Sequence, residues 1–176
     1  MSFRYSPAAR TLHWLTVLLV FVMFVLGIAM VYLVPDSEPA LSHRLYNTHA
    51  SLGVVILVAM LLRLIWRWRH PPGPLPQHVP RIFHTVGHAN HALLYILLLA
   101  QPIIGLLRDN TDGIQVVWFE IVPVPQLIGK HAALANVLSA MHWYGAVLIG
   151  LLIGAHIGGA LFHGVIRRDG VLQRML

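Results

Sequence analysis

The sequence predicts an all-α integral membrane protein, a bundle of four transmembrane helices, and three observations lead to this fold class. Of the 176 residues, 57% are hydrophobic and only 10% are charged, whereas a soluble domain has about 25% charged residues. Four apolar runs are each long enough to cross a hydrocarbon core of about 30 Å. The runs lack a strand-like alternation of polar and apolar residues, and lipid accepts only helices or closed barrels. A single membrane domain, residues 1–176, is therefore expected.

The four spans are predicted at about residues 12–34, 46–65, 88–107 and 137–162. The first run ends at Pro35 and is too long for the apolar region of a signal peptide, so it is interpreted as a helix of the mature protein. Basic and aromatic residues typical of a membrane interface close the second run. The third stops at Arg108. The last apolar run begins at Ala132 and exceeds a simple span, so its first residues are expected at the interface.

The basic residues are concentrated on one side of the predicted bundle. Both termini share a side with the connection between the second and third helices, and nine basic residues fall there, against three on the other side. Because basic residues are enriched in cytoplasmic loops, both termini are expected in the cytoplasm. The net charge of +6 then reflects topology, and no nucleic acid partner is expected. The nine are Arg4, Arg10, Arg63, Arg67, Arg69, Arg81, Arg167, Arg168 and Arg174, and the three are Arg44, Arg108 and Lys130.

Two connections between the spans differ in character. The proline-rich residues 70–80 predict a stiff cytoplasmic connector. Residues 109–131, on the outer side, contain several apolar side chains between Val116 and Val122. This segment is expected either to lie along the membrane surface or to form a plain loop.

Histidine is the informative residue type, because the chain has twelve histidines and no cysteine. The lack of cysteine excludes disulfides, thiolate metal sites and covalent haem attachment. Six histidines fall in connections or at span ends, where a solvated or interfacial role is the simplest interpretation. The other six fall at membrane depth, where an ionisable side chain is costly and needs a partner. The first group is His43, His70, His78, His84, His131 and His163, and the second is His13, His49, His88, His91, His142 and His156.

Depth in the membrane pairs four of these histidines. His142 and His156 lie 14 residues apart on the fourth predicted helix, which places them about 21 Å apart on nearly the same face. His142 is then in the outer half of the membrane, and His156 is in the inner half. His13 begins the first helix on the cytoplasmic side, which pairs it with His156. His49 begins the second helix on the outer side, which pairs it with His142.

Two stacked histidine pairs in an apolar four-helix bundle meet the requirement of two b-type haems, because each haem iron takes one imidazole on each axial side. His13, His49, His142 and His156 are therefore predicted to bind two haems b and their iron. A polar hydrogen-bonding network or a proton path is the alternative interpretation. His88 or His91, also in the inner half, could replace His13 as a ligand.

Small and polar residues within the spans have two possible roles. Glycines on the first, second and fourth helices permit either the close approach of a porphyrin or ordinary helix packing. Gln101 and Pro102 predict a local kink in the third helix, with Gln101 bonding a freed backbone group. The glycines are Gly27, Gly53, Gly150, Gly154 and Gly158.

Three segments carry a resemblance to a known family: RYSPAARTLHWLTVLLVF with His13, YNTHASLG with His49, and MHWYGAVLIGLLIGAHIGG with His142 and His156. Essentially the whole chain resembles the prokaryotic diheme cytochrome b561 family, to which a bacterial superoxide oxidase belongs. The 14-residue spacing is also similar to that in the cytochrome b subunits of formate dehydrogenases and hydrogenases. Animal and plant proteins of the same name have six helices, so four spans argue against ascorbate chemistry.

The resemblance implies an enzyme of the bacterial inner membrane, a superoxide:ubiquinone oxidoreductase. Superoxide on the periplasmic side would be oxidised to oxygen, and two such electrons with two protons would reduce ubiquinone to ubiquinol. The implied cofactors are two haems b, and the implied surroundings are the lipid bilayer, with no protein partner required.

Substrate sites are less clearly marked than the haem ligands. Lys130 and His131, directly before the fourth helix, are predicted as the catalytic residues on the outer side, because cationic groups attract a small anion. The alternative role of Lys130 is an interface anchor. No motif marks a ubiquinone site. The candidates are His91, His163 and Arg167 for an inner pocket and Ser139 and Tyr46 for an outer one.

Two other functions remain open from the sequence. One is a cytochrome b subunit that relays electrons between a partner dehydrogenase or hydrogenase and the quinone pool. The other is a haem-free proton or metal transporter that uses the intramembrane histidines. The second is disfavoured because carboxylates, common in coupled transport, are missing from the spans.

Overall fold

The predicted four-helix membrane bundle is confirmed. A computed structural model describes residues 4–35, 37–73 and 79–176. The chain forms α1 (Pro7–Ile28), α2 (Pro39–Arg69), α3 (Arg81–Asp112) and α4 (Ala132–Leu161). All four are long and apolar enough to cross a membrane. His78 and most of the predicted proline-rich connector lie outside the described residues.

Each helix extends beyond the span that hydropathy predicted. α2 and α3 contain 31 and 32 residues, about 46–48 Å at 1.5 Å per residue, and exceed the hydrocarbon core. Each span predicted from hydropathy ends where polar residues begin, whereas the helix itself continues into the membrane interface. α4 likewise starts at Ala132 as regular helix rather than at residue 137. π-helical turns extend α1 over Ala29–Leu33 and α4 over Phe162–Arg167.

Neighbouring helices pack in chain order. α1 lies against α2, α2 against α3, and α3 most extensively against α4. Among the described residues, no comparable packing joins α4 to α1 or α2. Ile153 of α4 packs against the buried cluster of Val20, Ile56 and Met60, which we call the central apolar layer.

The connection between α3 and α4 contains a β-hairpin rather than the plain loop that was one of the two predictions, and its position along the membrane surface stays a prediction. Val117–Trp118 pairs antiparallel with Val122–Pro123. Its loop, residues 119–121, holds Phe119 and Glu120 at φ of 46° and 62°, the left-handed region of the two central residues of a type I′ turn. The backbone N–H of Phe119 donates to the hydroxyl of fully buried Ser51, 2.8 Å away, so α2 fixes the tip.

Both ends of the described chain meet at the opposite end of the bundle from this hairpin. The N–H of Tyr5 donates to the carbonyl of Arg174 at 3.1 Å. The Trp14 indole donates to the carbonyl of Met175 at 3.2 Å. The two ends therefore share one side of the membrane, as four spans require.

Candidate functional site

The first histidine pair lies at the end of the bundle that carries both chain ends. The rings of His13 on α1 and His156 on α4 have centroids 6.2 Å apart at an interplanar angle of 65°. We call these two residues the terminus-side pair. The Arg63 guanidinium, from α2, donates to His13 Nδ1 at 2.8 Å.

The second pair lies toward the hairpin. The rings of His49 on α2 and His142 on α4 also have centroids 6.2 Å apart, at 69°. We call these residues the hairpin-side pair. The Nδ1 atoms of both are buried and have no hydrogen-bond partner within the described residues. Their rings are therefore not members of a protein hydrogen-bonding network, and a nitrogen of each is left for another ligand.

The separation within each pair fits one metal ion held between two imidazoles. Metal–imidazole bonds of about 2.0–2.1 Å on opposite sides of an ion leave ring centroids roughly 6 Å apart. Among the described residues, α4 has no comparable packing with α1 or α2, the helices that carry the partner histidines. A flat macrocycle with two axial imidazoles fits this donor set, because each pair offers two neutral nitrogen ligands and apolar walls. No cluster of three or more potential metal ligands occurs among the described residues.

His91 is the nearest competitor for the terminus-side pair. Its ring lies 5.1 Å from that of His156, which is closer than two ligands on opposite sides of one ion would be. His88 is exposed on α3. The geometry therefore favours His13 as the partner of His156.

α3 supports the hairpin-side pair through two small contacts with α4. A Cβ on Gly105 would lie 3.1 Å from His142 Cε1, so glycine leaves room for the imidazole. Gln101 donates to the carbonyl of His142, and glycine at position 145 leaves room for the Gln101 amide. Gln101 thus bonds the backbone of the neighbouring helix rather than the freed group in α3 that was predicted.

The glycines of α4 differ in the helix packing that was one of their two predicted roles. A Cβ on Gly154 or Gly158 would meet nothing within 4 Å. A Cβ on Gly150 would contact only Phe24 of α1, at 3.8 Å. Beside the pairs, a Cβ on Gly27 would lie 3.8 Å from His49 Cε1.

A polar cluster at the terminus side contains two of the predicted quinone candidates. His163 Nδ1 donates to Asp169 Oδ2 at 2.6 Å, and Arg167 Nε donates to the same oxygen at 3.1 Å. Burial alone would raise the pKa of the Asp169 carboxyl, but hydrogen bonds from His163 and the N–H of Val171 hold that pKa below its usual value. The Arg167 guanidinium also lies 5.3 Å from the Phe83 ring. Sequence analysis did not identify Asp169, because a single carboxylate after a span carries no motif.

A second polar cluster lies near the hairpin-side pair. The hydroxyl of Tyr46 donates to the carboxylate of buried Asp109. Arg108 lies 3.8 Å from Asp109 and 3.6 Å from Asp112. Tyr46, a predicted outer candidate, is thus already bonded to a carboxylate. Ser139, the other outer candidate, is partly buried on α4.

The predicted catalytic residues Lys130 and His131 are exposed and have structural contacts. The side chain of Lys130 lies over Gly113, the left-handed residue that ends α3. His131 is the N-cap of α4, where its Nδ1 accepts from the N–H of Leu134 at 3.2 Å. The N–H of His131 donates to the carbonyl of Thr111 at 2.9 Å. Both therefore join α3 to α4, and their role toward a substrate stays a prediction.

Comparison with known proteins gives consistent matches along the whole chain. The model of the prokaryotic cytochrome b561 family matches residues 4–176 of this chain. Cytochrome b561 homolog 2 of Escherichia coli is 33% identical over 174 residues, which cover 98% of this chain and 91% of that protein. A probable superoxide oxidase of Yersinia pestis is 30% identical over 177 residues, covering 100% and 97%. Cytochrome b561 homolog 1 of Escherichia coli is 27% identical over 175 residues, covering 98% and 97%.

Proposed function

The chain belongs to the prokaryotic cytochrome b561 family of multi-pass inner-membrane b-type cytochromes, and from this premise we propose that it transfers electrons from superoxide to ubiquinone through two haems b. The observation that carries the proposal is the presence of two histidine pairs, each with ring centroids 6.2 Å apart. The similarity to a probable superoxide oxidase supports the choice of donor.

In this proposal each pair holds one haem. His13 and His156 would hold one, and His49 and His142 would hold the other. Bound haem would supply one-electron redox chemistry, whereas the chain supplies orientation, electrostatics and access. Two imidazole donors at each site favour electron transfer over the binding of a further ligand.

In this proposal the central apolar layer prevents water and protons from passing between the two ends of the protein. Ile149 is only 3% exposed and lies seven residues from both His142 and His156, about 10 Å along α4 in each direction. Val20 and Ile56 are buried at the same level. An apolar layer of this kind blocks a hydrated path, so electrons cross the protein without accompanying protons.

The proposed site of superoxide oxidation is the hairpin side, which the distribution of basic residues places in the periplasm. Lys130 and His131 are exposed there, and Arg108 is an electrostatic neighbour of both His49 and His142. Exposed positive charge raises the encounter rate of a small anion. Each superoxide that loses one electron leaves as oxygen.

The proposed site of ubiquinone reduction is the terminus side. A groove between α1 and α2 is lined by apolar side chains and by the polar side chains of Thr11, Arg69 and His70. The cluster of His163, Arg167 and Asp169 offers polar groups at the same end of the bundle. Two electrons and two protons convert the quinone to the quinol, so two superoxide ions are oxidised per ubiquinone. The groove residues are Ala8, Thr11, Leu12, Leu62, Ile65, Trp66, Arg69 and His70.

The experiment that tests this function uses detergent-purified protein. Pyridine haemochrome analysis measures haem per chain, and ubiquinol formation is followed while superoxide is generated enzymatically, with superoxide dismutase as the control. We expect two haems b per chain and ubiquinol formation that dismutase abolishes. Two haems without this turnover would favour a subunit that relays electrons from a partner dehydrogenase or hydrogenase. A chain without haem would favour a proton or metal transporter that uses the intramembrane histidines.

A further inference from the structure

Two arginines of α2 bring positive charge to the terminus-side pair. Arg63 is partly buried and donates to His13 Nδ1 at 2.8 Å. It is an electrostatic neighbour of His156 and His91 as well. The guanidinium groups of Arg63 and Arg67 lie 5.3 and 5.7 Å from the centroid of the Tyr95 ring.

No carboxylate of the described residues pairs with this charge. Of the five acidic side chains that the structure describes, Asp169 lies at the terminus side, where His163 and Arg167 bond it. Neither Arg63 nor Arg67 forms an ion pair in the described part of the chain. Partly buried guanidinium groups without an ion pair are costly in a membrane. The other four described acids, in or beside the connections at the hairpin side, are Glu38, Asp109, Asp112 and Glu120, whereas Asp36 lies outside the described residues.

The hairpin-side pair has the opposite surroundings. Its nearby cation, Arg108, lies within 4 Å of two carboxylates, those of Asp109 and Asp112. Asp109 is itself buried, with 5% of the residue exposed. The positive charge near this pair is therefore compensated, whereas the charge near the terminus-side pair is not.

We infer that the charge of Arg63 raises the midpoint potential of the haem between His13 and His156 above that of the haem between His49 and His142. This inference rests on the proposed function in one respect, the binding of a haem at each pair. Arg63 acts through its charge, because a neutral imidazole that binds iron through Nε2 carries its proton on Nδ1 and no longer accepts a hydrogen bond there. The arrangement makes electron transfer from the hairpin side to the terminus side the favourable direction.

The physical basis is the charge that reduction adds. A one-electron reduction makes the site more negative by one unit, and a neighbouring cation stabilises that state. The interaction is stronger in a protein interior than in water, because the effective dielectric constant is lower. Arg63 retains its charge under all ordinary conditions, so its effect does not depend on which acceptor its N–H groups contact.

The test is equilibrium potentiometry of the purified holoprotein, followed through the haem α-band. His156→Ala and His142→Ala first assign each spectral component to its pair. In Arg63→Gln we expect the midpoint potential of the terminus-side component to fall by at least about 59 mV. This fall corresponds to a tenfold change in the equilibrium that distributes the first electron between the two haems, in favour of the hairpin side. Arg63→Lys should restore most of the shift. Arg81→Gln, which neutralises an exposed arginine at the start of α3, should leave both potentials unchanged.

The outcomes separate this inference from the proposed function. Unchanged potentials in Arg63→Gln, or equal shifts of both components, would overturn the inference even if ubiquinone reduction by superoxide is observed. If Arg63→Gln loses haem, Arg67→Gln replaces it, and a smaller fall of the same component is required. A fall confined to the terminus-side component, from a wild-type potential above that of the hairpin-side component, would uphold the inference even in a protein that does not oxidise superoxide. A wild-type order in which the hairpin-side component has the higher potential would overturn it. A chain without haem would overturn both.

Discussion

The two histidine pairs are nearly identical in geometry but differ in the charged groups and the packing contacts around them. Both have ring centroids 6.2 Å apart, at interplanar angles of 65° and 69°. The terminus-side pair has an arginine bonded to one imidazole. At the hairpin-side pair, Gly105 of α3 leaves room for the His142 ring, and the Gln101 side chain donates to the His142 carbonyl. The nearby Arg108 is paired with a carboxylate. Equal ligands in unequal electrostatic surroundings are expected to give sites of equal coordination and unequal potential.

The difference also shows how each pair is held. Arg63 reaches His13 through a side-chain hydrogen bond, whereas the position of His142 depends on close packing, since Gly105 leaves room for its ring. A charged side chain can be replaced without moving a helix, whereas a larger residue at a closely packed position displaces its neighbours. Apart from the histidines themselves, substitutions of the terminus-side arginines should therefore change redox properties, and substitutions of the hairpin-side packing residues should change haem retention.

The largest expected effect comes from removing a ligand. His142→Ala and His49→Ala should each lower the haem content from two per chain to one and remove the same spectral component, because one iron needs both imidazoles. His13→Ala and His156→Ala should remove the other component. Pyridine haemochrome analysis and reduced-minus-oxidised spectra measure both quantities. His88→Ala, at an exposed position, is the matched control and should retain two haems. Loss of one component from both His49→Ala and His156→Ala would contradict the pairing.

The next effect concerns packing at the hairpin-side pair. Gly105→Val should displace the His142 ring, because even a Cβ at this position lies 3.1 Å from it. Overpacking of this kind costs about 1–3 kcal/mol, roughly a 5- to 150-fold weaker retention of the hairpin-side haem, measured by transfer to apomyoglobin. Gly27→Ala, whose Cβ would lie at an ordinary 3.8 Å from His49, is the control. Equal retention in the two variants would show that α3 does not position His142.

A smaller effect is expected at the exposed surface of the hairpin side. Lys130→Gln should lower the rate of superoxide oxidation about two- to tenfold at low ionic strength, since steering of an anion depends on exposed charge. The difference should shrink at high ionic strength because salt screens it. Stopped-flow measurements at two salt concentrations test this. Arg81→Gln removes an exposed charge at the other end of α3, and a matching decrease there would argue that only total charge matters.

The smallest effect concerns the polar cluster at the terminus side. Asp169→Asn should lower stability by about 1 kcal/mol, the scale of a lost hydrogen bond. The pKa of Asp169 lies below its usual value in the folded protein, so its contribution is present above about pH 4 and is lost as pH falls through the folded pKa. Thermal unfolding of the holoprotein in detergent at pH 7 and pH 3.5 measures this. A difference between variant and wild type that grows at acidic pH would contradict the sign.

Much of the fold and the site follows from local sequence. Four apolar runs predict four helices, because a backbone in lipid must satisfy its own hydrogen bonds. The 14 residues between His142 and His156 predict one stripe at two depths, because helical geometry fixes both rotation and rise. Depth alone predicts the partners His13 and His49, and the structure brings each within 6.2 Å of its expected partner. Their ligation of haem stays a prediction.

Other features depend on contacts between distant segments. Phe119 and Glu120 carry no hairpin signal, and their left-handed conformation is stabilised by Ser51, 68 residues away along the chain. The role of Gln101 depends on the helix opposite it, which no local pattern shows. Helix ends were predicted too short, because hydropathy identifies the lipid core and not the end of hydrogen bonding.

The sequence by itself determined the membrane class, the four helices and the depth of each histidine, since these depend on hydrophobic length and helical periodicity. Only the tertiary structure decided which charges surround each pair. Arg63 and Arg108 are both arginines near the end of a span, yet Arg63 contacts a histidine and Arg108 lies between carboxylates. The physical reason is that electrostatic surroundings depend on distances between helices, and helix packing sets those distances.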